Sequence, residues 1–594
     1  MITAFRDGFQ SVYGARVLTD DFLPALGAAV KSGLTHFEVG GGARFQSLYF
    51  YCNEDAFNSM DRCREAAGAQ INLQTLSRGI NVVGLDSQPR DIITLHAQLF
   101  KKHGMTTIRN FDALNDVDNL VFSGQCIKEA GLNHEICVTV MELPPGCTGA
   151  HDEKFYTSTL RQILDSGVPF DSLCYKDASG TLTPAKVYEC LKSARKLLGD
   201  KIKLVYHTHE TAGIGALAYK AALDAGVDQI DLSLAPASGG TGQTDVITMW
   251  HALRGTEYDL GLDILKIIEA ENIFKECMKD YIVPPEALKV EPMIPFYPMP
   301  GGALTANTQM LRDNGLMNRY PEMISAMGEA VKRGGFGTSV TPVSQFYFQQ
   351  AFNNVMFGPW KKIAEGYGKM VLGYFGKTPT PPDPELVTQC SQQLNLPPFQ
   401  GSVLDRDDKD PTKGIPFARE LLKNASLEET QENIFIAATC KEKGIAFLKG
   451  TGTLGVRKNE VPQPKAPISP DLPDCYNLKV EGKAHKIEIQ GTQVRVDGKI
   501  IHYELTPVCL DPEDYPAQKT KKRIINLEAP LPGVILRIPV EPGDHREKGE
   551  DIIVLESMKM ETFVATPEAC KVVKIHVKQG QQVQSGQILA ELEV

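Results

Sequence analysis

The sequence predicts an α/β protein of several domains: a (β/α)8 barrel (TIM barrel) over 1–290, a mostly helical extension over 291–445, a small β module over 476–506 and a flattened β-barrel over 525–594. Three observations predict this. The first segment alternates short apolar runs with helical patterns about eight times, the signature of a parallel barrel. The final segment repeats itself at one constant offset, with Val540 falling on Val577, Gly543 on Gly580, Gly549 on Gly586 and Glu556 on Glu593. Between these lie two polar, Pro-containing stretches, 446–475 and 507–524, that read as linkers.

In order, the barrel strands are read from "LTHFEVGG", "INLQTL", "TTIRNFDAL", "EICVTVME", "SLCYKDASG", "IKLVYHTHE" and "DQIDLSL", with a short first strand before "FRDG". Only three residues precede Ala4, so strand one is short or the recorded start is late. "NEVPQPKAPISPDLPD" is Pro-rich and semi-rigid. "LKVEGKAHKIEIQGTQVRVDGKIIHYEL" alternates, with Gly and Asp-Gly turns, as hairpin strands do. "DPEDYPAQKTKKR" tethers the last barrel, its basic cluster reading as solvated linker. Each half of that barrel alternates apolar and polar residues with Gly at the turns, which predicts internal two-fold symmetry.

The formal net charge of −11 argues against nucleic acid as a partner. No apolar run is long enough to cross a bilayer, and "MITAFRDGFQ" has no secretion signal. The 13 cysteines include no CxxC pair, which fits free thiols in a reducing compartment and a cytoplasmic protein.

In a barrel of this type chemistry sits at the C-terminal ends of the strands. Asp7 in "FRDG", Lys176 in "CYKDASG", and His207 and His209 in "VYHTHETAG" fall there. A single strand histidine is more often a core residue. Two at i, i+2 share one face, and with Gly213 following they point to a divalent metal. A protonated lysine cannot bind a cation, but a buried lysine that loses its proton can be carbamylated by CO₂ and become an anionic ligand. At the far end, "ESMKMET" places Lys559 between two methionines where the first half-repeat hands over to the second. That predicts an exposed hairpin, and methionine is out of place there unless something recognises it.

This terminal segment resembles the biotin carboxyl carrier domain, whose hallmark is a modified lysine between two methionines; Ser557 stands where the family usually has Ala. The resemblance implies biotin attached covalently to Lys559 and recognition by a biotin protein ligase. Asp7, Lys176, His207 and His209, with "RNFDALND" and "PGGALTAN", are similar to the carboxyltransferase family of pyruvate carboxylase, oxaloacetate decarboxylase and transcarboxylase. That likeness covers nearly the whole chain. It implies one divalent ion (Zn, Mn or Co) held by Asp7, a carbamylated Lys176 and the two histidines. It also implies transfer of a carboxyl group between carboxybiotin and a small 2-oxo acid. Arg78 in "LSRGIN" matches the arginine that grips the substrate. Thr305 matches the proton-shuttling threonine, with a helix N-cap as the alternative reading. Gln10 matches a glutamine near the substrate.

The chain departs from the family pattern at Phe9, usually His, and at Gly40, Arg44 and Gln46, which stand for Trp, Thr and Asp. Leu85 follows Gly84 where Tyr is usual. These changes predict a less acidic mouth, able to suit a substrate with an extra carboxylate. No ATP-grasp domain and no phosphate loop is legible, so the resemblance implies a separate biotin carboxylase subunit. It also implies a homodimer or higher oligomer. The leading expectation is the carboxyltransferase half of a two-subunit pyruvate carboxylase, converting pyruvate to oxaloacetate. The alternatives are the α subunit of an oxaloacetate decarboxylase sodium pump with a membrane partner, and a 2-oxoglutarate carboxylase large subunit. More distant are an acyl-CoA condensing enzyme or lyase on the same barrel and a non-enzymatic biotin scaffold.

Overall fold

The structure is a computed structural model that describes residues 1–459, 475–480, 483–490, 493–496, 499–501, 523–530, 533–557, 560–584 and 586–594. The chain divides into two units, 1–461 and 462–594.

In the first unit seven parallel strands pair in sequence order. They are β1 (His36–Glu38), β2 (Asn72–Ser77), β3 (Thr107–Asn110), β4 (Asn133–Thr139), β5 (Ser172–Asp177), β6 (Lys203–Thr208) and β7 (Gln229–Ile230). Ile2 closes the ring, forming parallel bridges to Phe37 on one side and Leu232 on the other. The eighth strand is thus little more than one residue, held by Ile2 N–H donating to His36 O at 2.9 Å and Thr3 N–H to Leu232 O at 2.9 Å. The expected short first strand is found.

Helices cover the outside of the ring, and their starts are set locally. Asp55, Asp152, Thr183 and Asp245 each accept from a backbone N–H of the first turn, the capping that satisfies otherwise orphan donors. Apolar residues fill the layer between strands and helices. Inside the ring the residues are polar: Glu38, Gln74, Arg109, Glu135 and Asp231 are all buried.

Eight helices between Gly301 and Leu448 form the extension. The last, Gln431–Leu448, lies against the barrel's Arg90–Lys102 helix, with Phe435 packed on Phe45, His96 and Phe100. Its backbone breaks helical form at Lys441 (φ 48°). Residues after it return to the barrel: Gly455 N–H donates to Tyr51 O at 2.6 Å and Lys458 bridges Tyr281. The stretch expected as linker from 446 is therefore anchored as far as Asn459 by backbone hydrogen bonds, Gly455 N–H to Tyr51 O, Ile282 N–H to Arg457 O and Asn459 N–H to Asp280 O.

In the second unit Cys475–Val480, Lys483–Gln490, Gln493–Val496 and Lys499–Ile501 form an antiparallel meander. The C-terminal segment forms two four-stranded sheets around an apolar core that includes Ile535, Ile553, Leu555, Leu589 and Leu592. Its repeat is visible in the backbone. Gly543 and its counterpart Gly580 have φ of +108° and +83°, and Gly549 and Gly586 of +88° and +79°, a conformation that favours glycine.

Candidate active site and metal centre

Four of the predicted residues converge at the C-terminal end of the barrel. Lys176 on β5 lies directly opposite His207 on β6 in the parallel register, and its Nζ is 2.8 Å from His207 Nε2. His209 follows on the same face, with its Nε2 3.2 Å from that of His207. Asp7 comes from the wide helical turn Ala4–Gly8 that follows the one-residue strand. Its Oδ2 is 3.2 Å from His207 Nε2, 3.6 Å from His209 Nε2 and 3.5 Å from Lys176 Nζ. All four side chains are buried.

These separations are those of donors around a single cation. With bonds of about 2.0–2.2 Å, neighbouring ligand atoms stand roughly 3–3.5 Å apart. Asp7, His207 and His209 form the group that could hold a metal ion among the described residues. The donor set of one carboxylate and two imidazoles suits zinc, manganese or cobalt. Lys176 Nζ lies beside them, 2.8 Å from His207 Nε2 and 3.5 Å from Asp7 Oδ2.

The surroundings fix the ligands' protonation. His207 Nδ1 donates to Asp231 Oδ2 at 3.0 Å, and His209 Nδ1 to the Thr241 carbonyl at 2.7 Å. Both Nε2 lone pairs therefore face the centre, the usual arrangement behind metal-bound histidines. Burial, reinforced by Lys176, pulls the His207 pKa down to about 4, which keeps the ring neutral. Burial pushes the Asp7 carboxyl up, but Arg6, Lys176 and His209 outweigh it and hold it well below the usual carboxylate range. Arg109 bridges Asp231 and Glu135 beneath the centre.

Arg78 lies at the end of β2, buried, with Nη1 donating to Val83 O at 2.7 Å and Gly84 O at 3.0 Å. Its Nε has no protein partner. Burial, with Arg6 nearby, lowers its pKa to about 9, so it stays charged at neutral pH. Gln10 Oε1 accepts from Arg6 Nη1 at 3.3 Å. Thr305 sits in the second turn of the Gly301–Asp313 helix and does not cap it, because the helix begins four residues earlier. Its hydroxyl donates to Ser11 O, and Ser11 Oγ in turn donates to Asp7 Oδ1 at 3.1 Å. That helix can approach because Gly301 has no side chain; a Cβ there would lie 2.0 Å from Thr241 O.

The structure corrects the expectation that Arg44 makes the mouth less acidic. Arg44 is buried under the barrel wall, donating to Ala15 O at 2.9 Å and lying 5.6 Å over the Phe9 ring and 5.8 Å over Phe22. Phe9 and Arg44 are thus one packing unit. Gln46 donates to Thr439 O of the extension, also away from the metal cluster. Leu85 is exposed, beside the loop that tethers Arg78.

Arg6, Asp231, Thr241 and Gln243 escaped the sequence reading. Arg6 had a signal in standing beside Asp7. Asp231 had one in the alternation of "DQIDLSL", which faces it inward. Thr241 and Gln243 lie in the loop after β7, where no pattern marks them.

In the second unit, strands Asp551–Ser557 and Met560–Ala565 pair antiparallel with Ser557 opposite Met560. The chain reverses between them. Met558 and Lys559 lie outside the described residues.

Fold and site together define a metal-dependent barrel enzyme with its own carrier domain. A family model for a conserved carboxylase domain matches residues 294–492, one for a biotin-requiring enzyme matches 525–592, and one described as HMGL-like matches 125–274. A pyruvate carboxylase subunit of Methanocaldococcus jannaschii is 28% identical over 94% of this chain and 93% of its own. The 2-oxoglutarate carboxylase large subunit of Hydrogenobacter thermophilus is 28% identical over 94% and 89%. The carboxyl transferase domain of Rhizobium etli pyruvate carboxylase shares the fold, with a TM-score of 0.68 over 85% of this chain and 87% of that one, at 23% identity. The chain is similar along nearly its whole length to biotin-dependent carboxyltransferases of the pyruvate carboxylase type, and its cofactors are biotin and a divalent metal. No helix among the described residues is long and apolar enough to cross a membrane.

Proposed function

We propose that the chain transfers a carboxyl group between biotin on Lys559 and pyruvate, forming oxaloacetate, as the partner of a separate biotin carboxylase subunit. The observation that carries this is the convergence of Asp7, Lys176, His207 and His209 in a barrel whose chain also supplies a biotinyl-type domain. The likeness to two proteins named as subunits of pyruvate carboxylase supports a division of the enzyme between two chains.

When bound, the cation supplies Lewis-acid polarisation of the substrate's oxo oxygen. Biotin, when attached, supplies the carboxyl group. The chain's own residues do the rest. Arg78 presents its planar guanidinium to the substrate carboxylate, with Nη1 already anchored by two carbonyls so that little freedom is lost. Gln10, steered by Arg6, orients the substrate by hydrogen bonding. The Thr305 hydroxyl, held by Ser11 O beside Thr241 Oγ1, carries the proton between the substrate methyl and the carrier. Asp231 and Thr241 keep the histidine rings turned to the centre.

The placement of Arg44 favours pyruvate over 2-oxoglutarate. The cation that would have recognised a second carboxylate is spent on Ala15 O and two aromatic rings. The test is a transfer assay with labelled bicarbonate, ATP and the biotin carboxylase, offering pyruvate, 2-oxoglutarate and propionyl-CoA in parallel. Label in oxaloacetate, abolished by Lys559→Arg, is expected. Label passing only to 2-oxoglutarate would overturn the substrate.

A further inference from the structure

The loop after β2 carries Arg78 and folds back on itself. Arg78 N–H donates to Val82 O at 2.9 Å, Gly84 N–H to Asn81 O at 2.8 Å and Gln88 N–H to Ile80 O at 2.8 Å. The guanidinium is seated on the same loop, since Nη1 donates to the carbonyls of Val83 and Gly84. The direction of those carbonyls follows from Val82, whose backbone has φ 42° and ψ −100°. A β-branched residue rarely adopts positive φ, and such a conformation persists where its surroundings hold it. The barrel holds one end of the loop: Gly79 N–H donates to Asn110 Oδ1 at 3.0 Å.

The helical extension holds the other end. Lys413 lies in the turn before the Gly414–Asn424 helix, with only 12% of its side chain exposed. Its Nζ is 2.7 Å from Ser87 O, 3.2 Å from Ser87 Oγ and 3.2 Å from Asp86 Oδ1. An ammonium has three donors, and these three acceptors all belong to two adjacent residues of the Arg78 loop. Asp407 Oδ2, buried and 3.2 Å away, offsets the charge. Arg406 adds a second cation: its Nη2 donates to Ser87 Oγ at 3.2 Å, and its guanidinium lies over the rings of Tyr374 and Phe399. This part of the extension is itself seated on the barrel. Ile415 N–H donates to Asp91 Oδ2 at 2.8 Å, and a Cβ on Gly414 would meet that oxygen at 3.0 Å.

We propose that Lys413 is a positioning residue for Arg78: from the helical extension it fixes the Gly79–Gln88 loop, whose carbonyls aim the guanidinium at the substrate. Lys413 touches neither substrate nor metal ligands in this role. It acts by holding residues 86–87, so that the strained turn at Val82 keeps the Val83 and Gly84 carbonyls under Nη1. Released at that end, the turn can relax toward negative φ and carry both carbonyls away. Arg78 would then reach the substrate carboxylate with freedom still to lose, which weakens its grip. The extension thereby contributes to substrate binding through a residue more than 300 positions from Arg78 in the chain.

The inference rests on Arg78 binding the substrate carboxylate, and the experiment separates the two. The full-length biotinylated protein is assayed with its biotin carboxylase subunit, ATP and bicarbonate over a range of pyruvate concentrations. Lys413→Met is expected to lower kcat/KM by about tenfold or more, mainly through KM, with metal content unchanged by elemental analysis. In an Arg78→Ala background the same substitution is expected to change kcat/KM by less than about twofold, because the residue it acts through is gone. A lysine that only supports the fold would lower the melting temperature and the fraction of active enzyme, moving kcat and leaving KM. If Arg78→Ala leaves KM at the wild-type value, Arg78 does not grip the substrate, and that reading and this inference fall together. If Arg78→Ala raises KM while Lys413→Met leaves it within about twofold, or if the two losses simply multiply, only the role of Lys413 is wrong. Should Lys413→Met not fold by circular dichroism, Asp86→Ala decides, since it removes one acceptor at a half-exposed position. A KM raised about threefold or more, with the rise gone in the Arg78→Ala background, supports the proposal, and a smaller rise overturns it.

Discussion

The chain builds two closed β structures on opposite principles. The interior of the N-terminal barrel is charged: Arg6, Glu38, Arg109, Glu135, Lys176, His207 and Asp231 are all buried there, linked by ion pairs from Arg6 to Glu38 and from Arg109 to Glu135 and Asp231. The interior of the C-terminal domain is apolar throughout its core cluster. Burying charges is costly, and well-packed apolar side chains often do as well or better for stability. The first barrel therefore spends stability on a preorganised site, while the second needs only to hold its shape and present a hairpin. Perturbing each should give different signatures.

The largest effect should come from the first. His209→Ala removes a ligand from a centre worth several kcal/mol to the reaction. Carboxyl transfer to pyruvate is expected to fall about 10³-fold or more, with bound metal lost by elemental analysis and the carrier still accepting biotin. Retained metal and near-normal transfer would mean the centre lies elsewhere.

The second signature belongs to the carrier. Leu592 is fully buried in its core, and Leu592→Ala is expected to cost about 2–5 kcal/mol. For a domain this small that is a large share of total stability. Calorimetry of the full chain should show one transition lowered and the other unmoved, with metal content unchanged. A common shift of all transitions would show that the units do not unfold separately.

Acid should also separate the two. His96, His134 and His151 are buried in the first unit, and burial above all pulls their pKa values down to about 3, 4 and 4. Unfolded, each would titrate near 6.5. Between those values the unfolded chain holds more protons, so stability is full above about pH 6.5 and falls as pH drops toward 4. Each such histidine contributes about 3 kcal/mol of that loss by the acid end. Among described residues 523–594 no histidine is buried. The first unit should thus melt at lower temperature at pH 5 than at pH 7, while the carrier changes little. His96→Phe, which fits among Phe100 and Phe435, should blunt the slope; an unchanged slope would mean that His96 titrates normally.

Much of this was legible in the sequence, for physical reasons that also mark the limit. Seven apolar runs became the seven strands because a buried parallel strand must be apolar and short. The i, i+2 histidines met because a strand alternates faces. The repeat after Ala529 predicted the paired glycine turns. Side-chain direction off a strand was not legible. Arg44 follows three glycines with φ of +55°, +67° and +53°, and no other residue fits at Gly41, where a Cβ would strike Thr75 Oγ1 at 2.1 Å. That tight crossing turns the helix after it so that Arg44 faces inward, which a motif comparison cannot show. Nor could it show that Gln243 and Asp231, far from any recognisable block, close around the histidines.

The smallest predicted effect tests that same point. Arg44 makes no ion pair among the described residues, and its Nη2 has no hydrogen-bond partner. It borders a small enclosed cavity lined by Phe22, Ser59, Met60 and Cys63. Its charge is offset by the faces of Phe9 and Phe22 and by one carbonyl, an arrangement that an apolar side chain of similar length can replace at little cost. Arg44→Met is expected to change the unfolding free energy by about 1 kcal/mol or less and to leave the ratio of pyruvate to 2-oxoglutarate transfer as it was. A tenfold change in that ratio would mean that Arg44 reaches the substrate after all. The departures at Phe9 and Arg44 would then be a pocket adaptation instead of a matched pair in the wall of the barrel.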